Sequence, residues 1–243
     1  MHLIPWINRE EALPSPINNP DPDSRFPGLI AASNELNVKR LIEAYQQGIF
    51  PWYSEGEPIL WWCTNPRMVL YTNEFKVSRS LKKFIQEFIN DSDCEIRVNC
   101  NFLNVINACA SKLRPGQNGT WITSEIINAY YDLHKLGHAH SIETWYKNQL
   151  VGGLYCVNFG EMAFGESMFS DKPNSSKVAL ATLCAWATSN KIAMIDCQQE
   201  TEHLRSLGGR PIAREDFLDC VSMYQSQPQP DWNFGKEFLN YWL

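Results

Sequence analysis

Three strand-length apolar runs that follow one another almost without a break constrain this chain more than any other feature. They are His138–Lys147, Gln149–Asn158 and Glu161–Ser170, joined by the short turns KNQ and NFGE. Runs of this length, bounded by turn residues, predict consecutive hairpins. A helix over Ser175–Ser189, a strand over Ile192–Cys197, a short helix near Thr201–Leu207 and a strand at Pro211–Arg214 are predicted to follow. Gly152 and Gly153, inside the second run, mark a bulge or a close backbone approach.

Two short pieces of this region set an acid against an apolar run. One is GESMFS, residues 165–170, with Glu166; the other is IDCQ, residues 195–198, with Asp196 and Gln198. In IAMIDCQ four apolar residues lead straight into Asp196, and the two-residue period of a strand sends the Asp196 and Gln198 side chains to one face. Side by side they could orient a polar substrate, whereas a lone strand-end Asp ordinarily caps a turn. The pattern by itself leaves both roles open.

With 243 residues, 44% of them hydrophobic, the chain can bury one large core, or a main domain plus a small one. A net charge of -6 excludes a global basic field, so any nucleic-acid surface has to be a local patch. The eight cysteines contain no C-x-x-C, and several sit inside apolar runs such as Ile106–Ala110, which predicts reduced core residues. The start, MHLIPWINREE, lacks the apolar segment of a signal peptide, and no uncharged run is long enough to cross a bilayer. A cytoplasmic location without a membrane partner is the expectation.

Residues 1–28 hold six of the 14 prolines and almost no periodicity, which predicts an extended arm. A helix over Val38–Gln47, with Leu41, Ile42 and Tyr45 on one face, is stopped by Gly48. The next run concentrates Trp52, Tyr53, Trp61 and Trp62 among prolines, where rings form either a pocket wall or a small core under a loop. Ser78–Asn90 reads as an amphipathic helix with Leu81, Phe84, Ile85, Phe88 and Ile89 inward and Arg79, Lys82 and Lys83 outward. Three cations in one turn can hold phosphates or can simply be a solvated face. A strand over Cys94–Cys100 comes next, then a helix with Phe102, Val105, Ile106, Cys109 and Leu113 inward. After the loop RPGQNG and Trp121, a helix capped by Thr123 buries Ile126, Ile127, Tyr130 and Leu133 and ends at Gly137.

This order of elements resembles the GNAT acyltransferase fold. It implies an α+β chain: a GNAT-like mixed sheet flanked by helices over residues 73–243, after a small N-terminal α+β domain, 1–72, with the Pro-rich arm and the Trp-rich loop. Acetyl-CoA enzymes of that fold carry a glycine-rich pyrophosphate loop before the next helix, but the loop here is SDKPNSSK. Backbone amides without those glycines are poorly placed to cradle a pyrophosphate, so CoA is disfavoured.

A more specific resemblance rests on ordered motifs along most of the chain. They are Y-x-x-G-I-F-P-W-Y from Tyr45, P-I-L-W-W from Pro58, S-R-S-L-K-K from Ser78, T-W-I-T from Thr120 and A-Y-x-x-L-H-x-L-G-H-A-H-S-I-E from Ala129. Further on come L-V-G-G-L-Y from Leu150, G-E-S-M-F-S, I-D-C-Q, and S-L-G from Ser206. The chain is thereby similar to the bacterial leucyl/phenylalanyl-tRNA-protein transferase family, although the family's glycine-rich A-x-G-G-D-L reads AASNEL here. The resemblance implies transfer of Leu, Phe or Met from aminoacyl-tRNA to a protein or peptide with N-terminal Arg or Lys, creating a degradation signal, with no cofactor and no metal. It implies Asp196 and Gln198 as the catalytic pair, Glu166 as an active-site acid, and Trp52 and Trp121 against the aminoacyl-adenosine end. Leu154, Met168 and Ile195 would line an apolar pocket, and Arg79, Lys82 and Lys83 would fall on a tRNA-binding helix.

Those roles suit the chemistry. Aminolysis of an ester runs downhill, so the protein chiefly has to align an amine with a carbonyl and handle one proton. If Asp196 accepts from the Gln198 amide, the Gln198 carbonyl becomes a better acceptor for the amine; a ribose hydroxyl of the tRNA could carry the proton instead. His134, His138 and His140 bridge a helix end and a strand start without a recognised ligand pattern, and read as core or positioning residues. A CoA-dependent acetyltransferase and a non-catalytic reader of basic N-termini are the alternatives to the transferase.

Overall fold

In the computed structural model, which describes residues 4–18, 25–112 and 120–243, the chain opens with β1 (Trp6–Ile7), β2 (Leu29–Ser33), α1 (Val38–Gln46), β3 (Phe50–Pro51) and β4 (Ile59–Trp62). Strand β5 (Arg67–Tyr71), helix α2 (Arg79–Asn90), strand β6 (Cys94–Val98) and helices α3 (Phe102–Ser111) and α4 (Ser124–Lys135) come next. The expected hairpins are β7 (Ala139–Tyr146), β8 (Gln149–Phe159) and β9 (Met162–Ser170). Then follow α5 (Ser175–Ser189), β10 (Met194–Asp196), α6 (Glu202–Ser206), β11 (Arg210–Ile212) and α7 (Arg214–Tyr224). Leu113 and the loop 114–119 lie outside the described residues, as does part of the Pro-rich arm.

Local chemistry accounts for the ends of these elements. Asn37, Ser78 and Thr123 cap α1, α2 and α4 by accepting from Arg40 N, Leu81 N and Ile126 N at 2.9, 3.2 and 3.3 Å. The β7–β8 turn has φ of +49° and +59° at Lys147 and Asn148, the left-handed pair that a two-residue hairpin turn needs.

Among the described residues a seven-stranded sheet runs in the order β11-β5-β10-β9-β8-β7-β6, and a four-stranded sheet in the order β1-β2-β4-β3. In the large sheet β9 and β10 are parallel while the other neighbours are antiparallel, so the fold is the α+β mixed sheet flanked by helices that the sequence implies. Strand β5 precedes residue 72 yet pairs within the large sheet, with β10 on one side and β11 on the other. One apolar core, with Tyr45, Phe102 and Tyr130 in it, joins α1, α3 and α4 to the sheet; the other gathers α2, α5 and the chain's last segment.

Helix α5 is buried on nearly every side from Val178 to Ala187, as an all-apolar helix must be. A 3₁₀ segment, Lys236–Trp242, covers its outer side, with Trp242 Nε1 donating to the Ala181 carbonyl at 2.9 Å. The sequence reading contained neither this segment nor α7, of which only Phe217 and Val221 are buried, too narrow a stripe to register as a period.

Gly152 is where the sheet meets the start of α5. A β-carbon there would stand 2.1 Å from Ser175 Oγ and 2.5 Å from Ser175 Cβ. Ser175 cannot retreat, because its hydroxyl donates to the Val151 carbonyl at 2.8 Å. Gly152→Ala is therefore expected to destabilise the protein by about 1 to 3 kcal/mol, the usual cost of overpacking. Urea unfolding measures this directly, and a wild-type midpoint for the variant would contradict the close approach.

Candidate functional site

Two neighbouring strands part company at the centre of the large sheet. The parallel pair β9–β10 is in register at Ala163 with Ile195 and Phe164 with Asp196, and no partner positions follow. On the other side of β9 the register shifts between Tyr155 and Cys156: Tyr155 faces Ser167 and Cys156 faces Gly165. Glu166 is the unpaired residue of that bulge, the device by which a strand re-aims one side chain.

The bulge turns Glu166 into a polar cluster supplied by distant elements. Tyr45 of α1 donates its hydroxyl to Glu166 Oε1 at 2.7 Å, and Gln198 Nε2 donates to the same oxygen at 3.1 Å. Tyr130 of α4 reaches Oε2 at 3.2 Å, and the two tyrosine hydroxyls hydrogen-bond each other. Burial pushes the Glu166 carboxyl up to about 8, helped by the Asp196 charge and opposed by the tyrosine hydrogen bonds and Arg67. Burial, then the Glu166 charge, also holds both tyrosines well above the usual phenol range, so their hydroxyls keep their protons.

Asp196 and Gln198 do not share a strand face. Strand β10 ends at Asp196, and Gln198 has a left-handed φ of +56°, which breaks the two-residue alternation. Asp196 is wholly buried and forms a two-pronged ion pair with the equally buried Arg67: Nε to Oδ1 at 2.7 Å and Nη2 to Oδ2 at 2.6 Å. The Gln198 backbone N–H donates to Asp196 Oδ1 at 2.9 Å, while the Gln198 side-chain amide goes to Glu166. The expectation that Asp196 accepts from the Gln198 side chain is thus corrected: the contact is with the backbone.

A pocket of about 550 Å³ opens beside this cluster. Leu154, Met168 and Ile195 line it together with Leu180 and Leu183 of α5, and Glu166 and Gln198 stand at its polar edge. Asp196 is not among its lining residues, and neither are Trp52 and Trp121. Trp52 is 38% exposed and meets Trp62 edge-on at 5.9 Å, so it sits on a loop surface. Trp121 precedes α4, whose Glu125 accepts from the hydroxyl of Tyr53, Trp52's neighbour, at 3.2 Å. Arg79, Lys82 and Lys83 are exposed on α2, with Lys82 Nζ donating to the Leu243 carbonyl at 2.7 Å.

The three histidines are stacked on aromatic rings, His134 on Phe102, His138 on Phe159 and His140 on Trp232. Burial pulls His140 down to about 3, which keeps it neutral. Among the described residues no cluster of His, Cys, Asp and Glu could hold a metal ion, and no helix is long and apolar enough to cross a membrane. None of the eight cysteines is joined in a disulfide.

Sequence reasoning missed Arg67, Leu180, Leu183 and the hydroxyls of Tyr45 and Tyr130. Both tyrosines sit within quoted motifs and at inward helix positions, so their rings were legible as core while their hydroxyls left no pattern. Arg67 carried one usable signal: it is a lone cation within the otherwise uncharged run ILWWCTNPRMVLY.

Residues 69–222 match the model of the leucyl/phenylalanyl-tRNA protein transferase family, and residues 34–65 match the model of that family's N-terminal domain. The chain is 52% identical over 241 residues to a leucyl/phenylalanyl-tRNA--protein transferase of Cupriavidus taiwanensis, covering 99% of this chain and 96% of that one. A relative of the same name from Ralstonia pickettii is 49% identical, with 99% and 97% covered. A third, from Burkholderia cenocepacia, is 50% identical over 98% of this chain and 93% of its own. Full-length likeness at this level, together with both family models, settles the relationship: the chain belongs to the leucyl/phenylalanyl-tRNA protein transferase family.

Proposed function

We propose that this protein transfers leucine or phenylalanine, and also methionine, from aminoacyl-tRNA to the α-amino group of proteins that begin with Arg or Lys. The observation that carries this reading is the apolar pocket with Glu166 and Gln198 at its edge, in a chain of this family. The donor's side chain occupies the pocket against Leu154, Met168 and Ile195, and its ester carbonyl lies at the polar edge. Trp52 and Trp121, on either side of the Tyr53–Glu125 contact, are assigned to the adenosine end. Within the same reading the small N-terminal unit ends between β4 and β5, since Arg67–Tyr71 pairs in the large sheet.

The acceptor's amine attacks the ester carbonyl carbon, the bond from that carbon to the ribose oxygen breaks, and the amine proton ends on the released oxygen. Gln198 donates its amide N–H to Glu166, so its carbonyl oxygen is left to accept a hydrogen from the incoming amine. Burial raises the Glu166 pKa to about 8, and Tyr45 and Tyr130 donate to its Oε1 and Oε2. With Oε1 also accepting the Gln198 N–H, these contacts hold Gln198 in one amide orientation. The first amides after β9 are already taken, by Val151 O at 2.8 Å for Asp171 N and by Ser170 Oγ at 3.2 Å for Ser176 N, which speaks against a CoA pyrophosphate cradle.

The direct test is transfer of radiolabelled leucine from charged tRNA to an Arg-starting peptide, with an Ala-starting peptide and acetyl-CoA as controls. Transfer is expected to the first peptide only, and isoleucine is expected to be a poor donor. Branching at Cβ crowds the pocket mouth and typically costs about 1 to 3 kcal/mol. Equal transfer of leucine and isoleucine would sink this pocket assignment, and acetylation would favour the acetyltransferase.

For the tRNA, the exposed α2 cations supply the local patch that a protein of net charge -6 requires. Arg79→Ala and Lys83→Ala should each weaken use of charged tRNA and lower the slope of log affinity against log salt by about 1. Peptide affinity should not move. An unchanged slope would place the contact elsewhere.

Glu166 also makes stability depend on pH. Its folded pKa is raised to about 8 from an ordinary 4.5, so between those values the folded state holds a proton that the unfolded state has lost. Stability from this group is complete below pH 4.5 and declines as pH rises towards 8. Thermal melts should show the wild type losing stability relative to Glu166→Gln across that window and levelling above it. Parallel curves for the two proteins would contradict the burial of a neutral acid.

A further inference from the structure

We infer that Arg67 is a positioning residue for the transfer reaction, acting through Asp196 and the Gln198 backbone to hold the Gln198 amide against Glu166. The inference rests on the function proposed above. Asp196 Oδ1 is shared: it takes Arg67 Nε at 2.7 Å and the Gln198 backbone N–H at 2.9 Å. Where that oxygen stands therefore decides where the Gln198 backbone stands. Two parallel bonds from a planar guanidinium fix both carboxylate oxygens, and the guanidinium is itself clamped between Phe50 and Phe217, 4.7 and 4.3 Å from the ring centres. Arg67 and Asp196 are fully out of water, so the pair has no hydrated alternative.

The same short segment grips the Gln198 backbone from its other side. Thr64 Oγ1 and Met68 N donate to the Gln198 backbone carbonyl at 3.1 and 3.3 Å, and Cys197 N donates to the Met68 carbonyl at 2.8 Å. Residues 64–68 thus hold both sides of a non-glycine residue at φ +56°, a conformation that persists only when its surroundings impose it. The payoff is the 3.1 Å contact from Gln198 Nε2 to Glu166 at the pocket edge. Asp196 touches no pocket space, so in this arrangement it also positions and does not handle the proton.

A double-mutant cycle in single-turnover leucine transfer to an Arg-starting peptide tests this. Arg67→Lys keeps the charge but cannot make two parallel bonds, and at saturating charged tRNA it should slow transfer by roughly 10- to 100-fold, as loss of a transition-state contact does. The dissociation constant for charged tRNA should change less than about threefold, because the apolar pocket is untouched. In a Gln198→Ala background Arg67→Lys should add almost nothing, since groups acting as one unit are non-additive. Its effect on melting temperature should be the same in both backgrounds. Losses in rate that multiply would overturn the inference, because a purely structural arginine slows both proteins alike.

Thr64→Val removes one grip on Gln198 without stranding a buried charge, and it decides the matter if Arg67→Lys does not fold. A loss of about three- to tenfold that vanishes in Gln198→Ala is expected, and a wild-type rate for Thr64→Val would then overturn the inference. The two readings fail separately. No transfer by the wild-type protein sinks the proposed function, whereas wild-type transfer with multiplying losses sinks only the role of Arg67.

Discussion

A guanidinium and a carboxylate that are both removed from water tie this structure together. Taking two charges out of water is costly, and their attraction offsets that cost only when the geometry is good and the remaining polar atoms are satisfied. Arg67 and Asp196 meet the first condition with two bonds of 2.7 and 2.6 Å, and the rings of Phe50 and Phe217 cover the arginine's faces. Loss of one partner from such a pair costs about 3 to 5 kcal/mol, because the other is left as a bare buried charge. Phe50 belongs to the small sheet, Phe217 to α7 and Asp196 to the centre of the large sheet. The pair therefore fastens three parts of the chain at one point, and the site lies two residues beyond it.

From that point the polar groups divide by burial. Arg67 and Asp196 are fully buried and paired with each other, whereas Tyr45 and Tyr130 meet Glu166, which stands with Gln198 at the pocket edge. Buried polar networks are costly when partly satisfied and rigid when complete. The bulge at Glu166 supplies the completeness: by leaving one residue of β9 unpaired, it lets a strand residue meet two helices and the segment after β10.

Elements governed by local pattern were legible in the sequence. The hairpins followed from turn residues between apolar runs, and α1, α2 and α4 followed from cap residues and helical spacing. Pocket residues Leu154, Met168 and Ile195 came from the family resemblance, and the structure gathers all three. The Asp196–Gln198 pairing was misread because a two-residue period assumes that the strand continues, and β10 stops at Asp196. What gives Asp196 its partner is Arg67, 129 positions away, and what places Glu166 is Tyr45, 121 positions away. Contacts of that kind depend on topology, and no window of sequence contains them.

The protonation state of Glu166 bears on why an acid stands at the edge of an apolar pocket at all. An ionised carboxylate in a dry site would stabilise the ammonium form of an arriving amine and raise its pKa, which removes the lone pair that has to attack. A free α-amine has a reference pKa of about 7.7 to 8.0, so most of it is already ammonium at neutral pH, and any further rise shrinks the fraction able to attack. With burial holding Glu166 up to about 8, the acid is mostly neutral there and accepts the Gln198 N–H without adding a negative charge to the site. The Asp196 charge that acts on Glu166 is matched by Arg67, and both side chains are fully buried. In the proposed reaction, burial of the acid and pairing of the aspartate keep uncompensated negative charge away from the amine that has to attack.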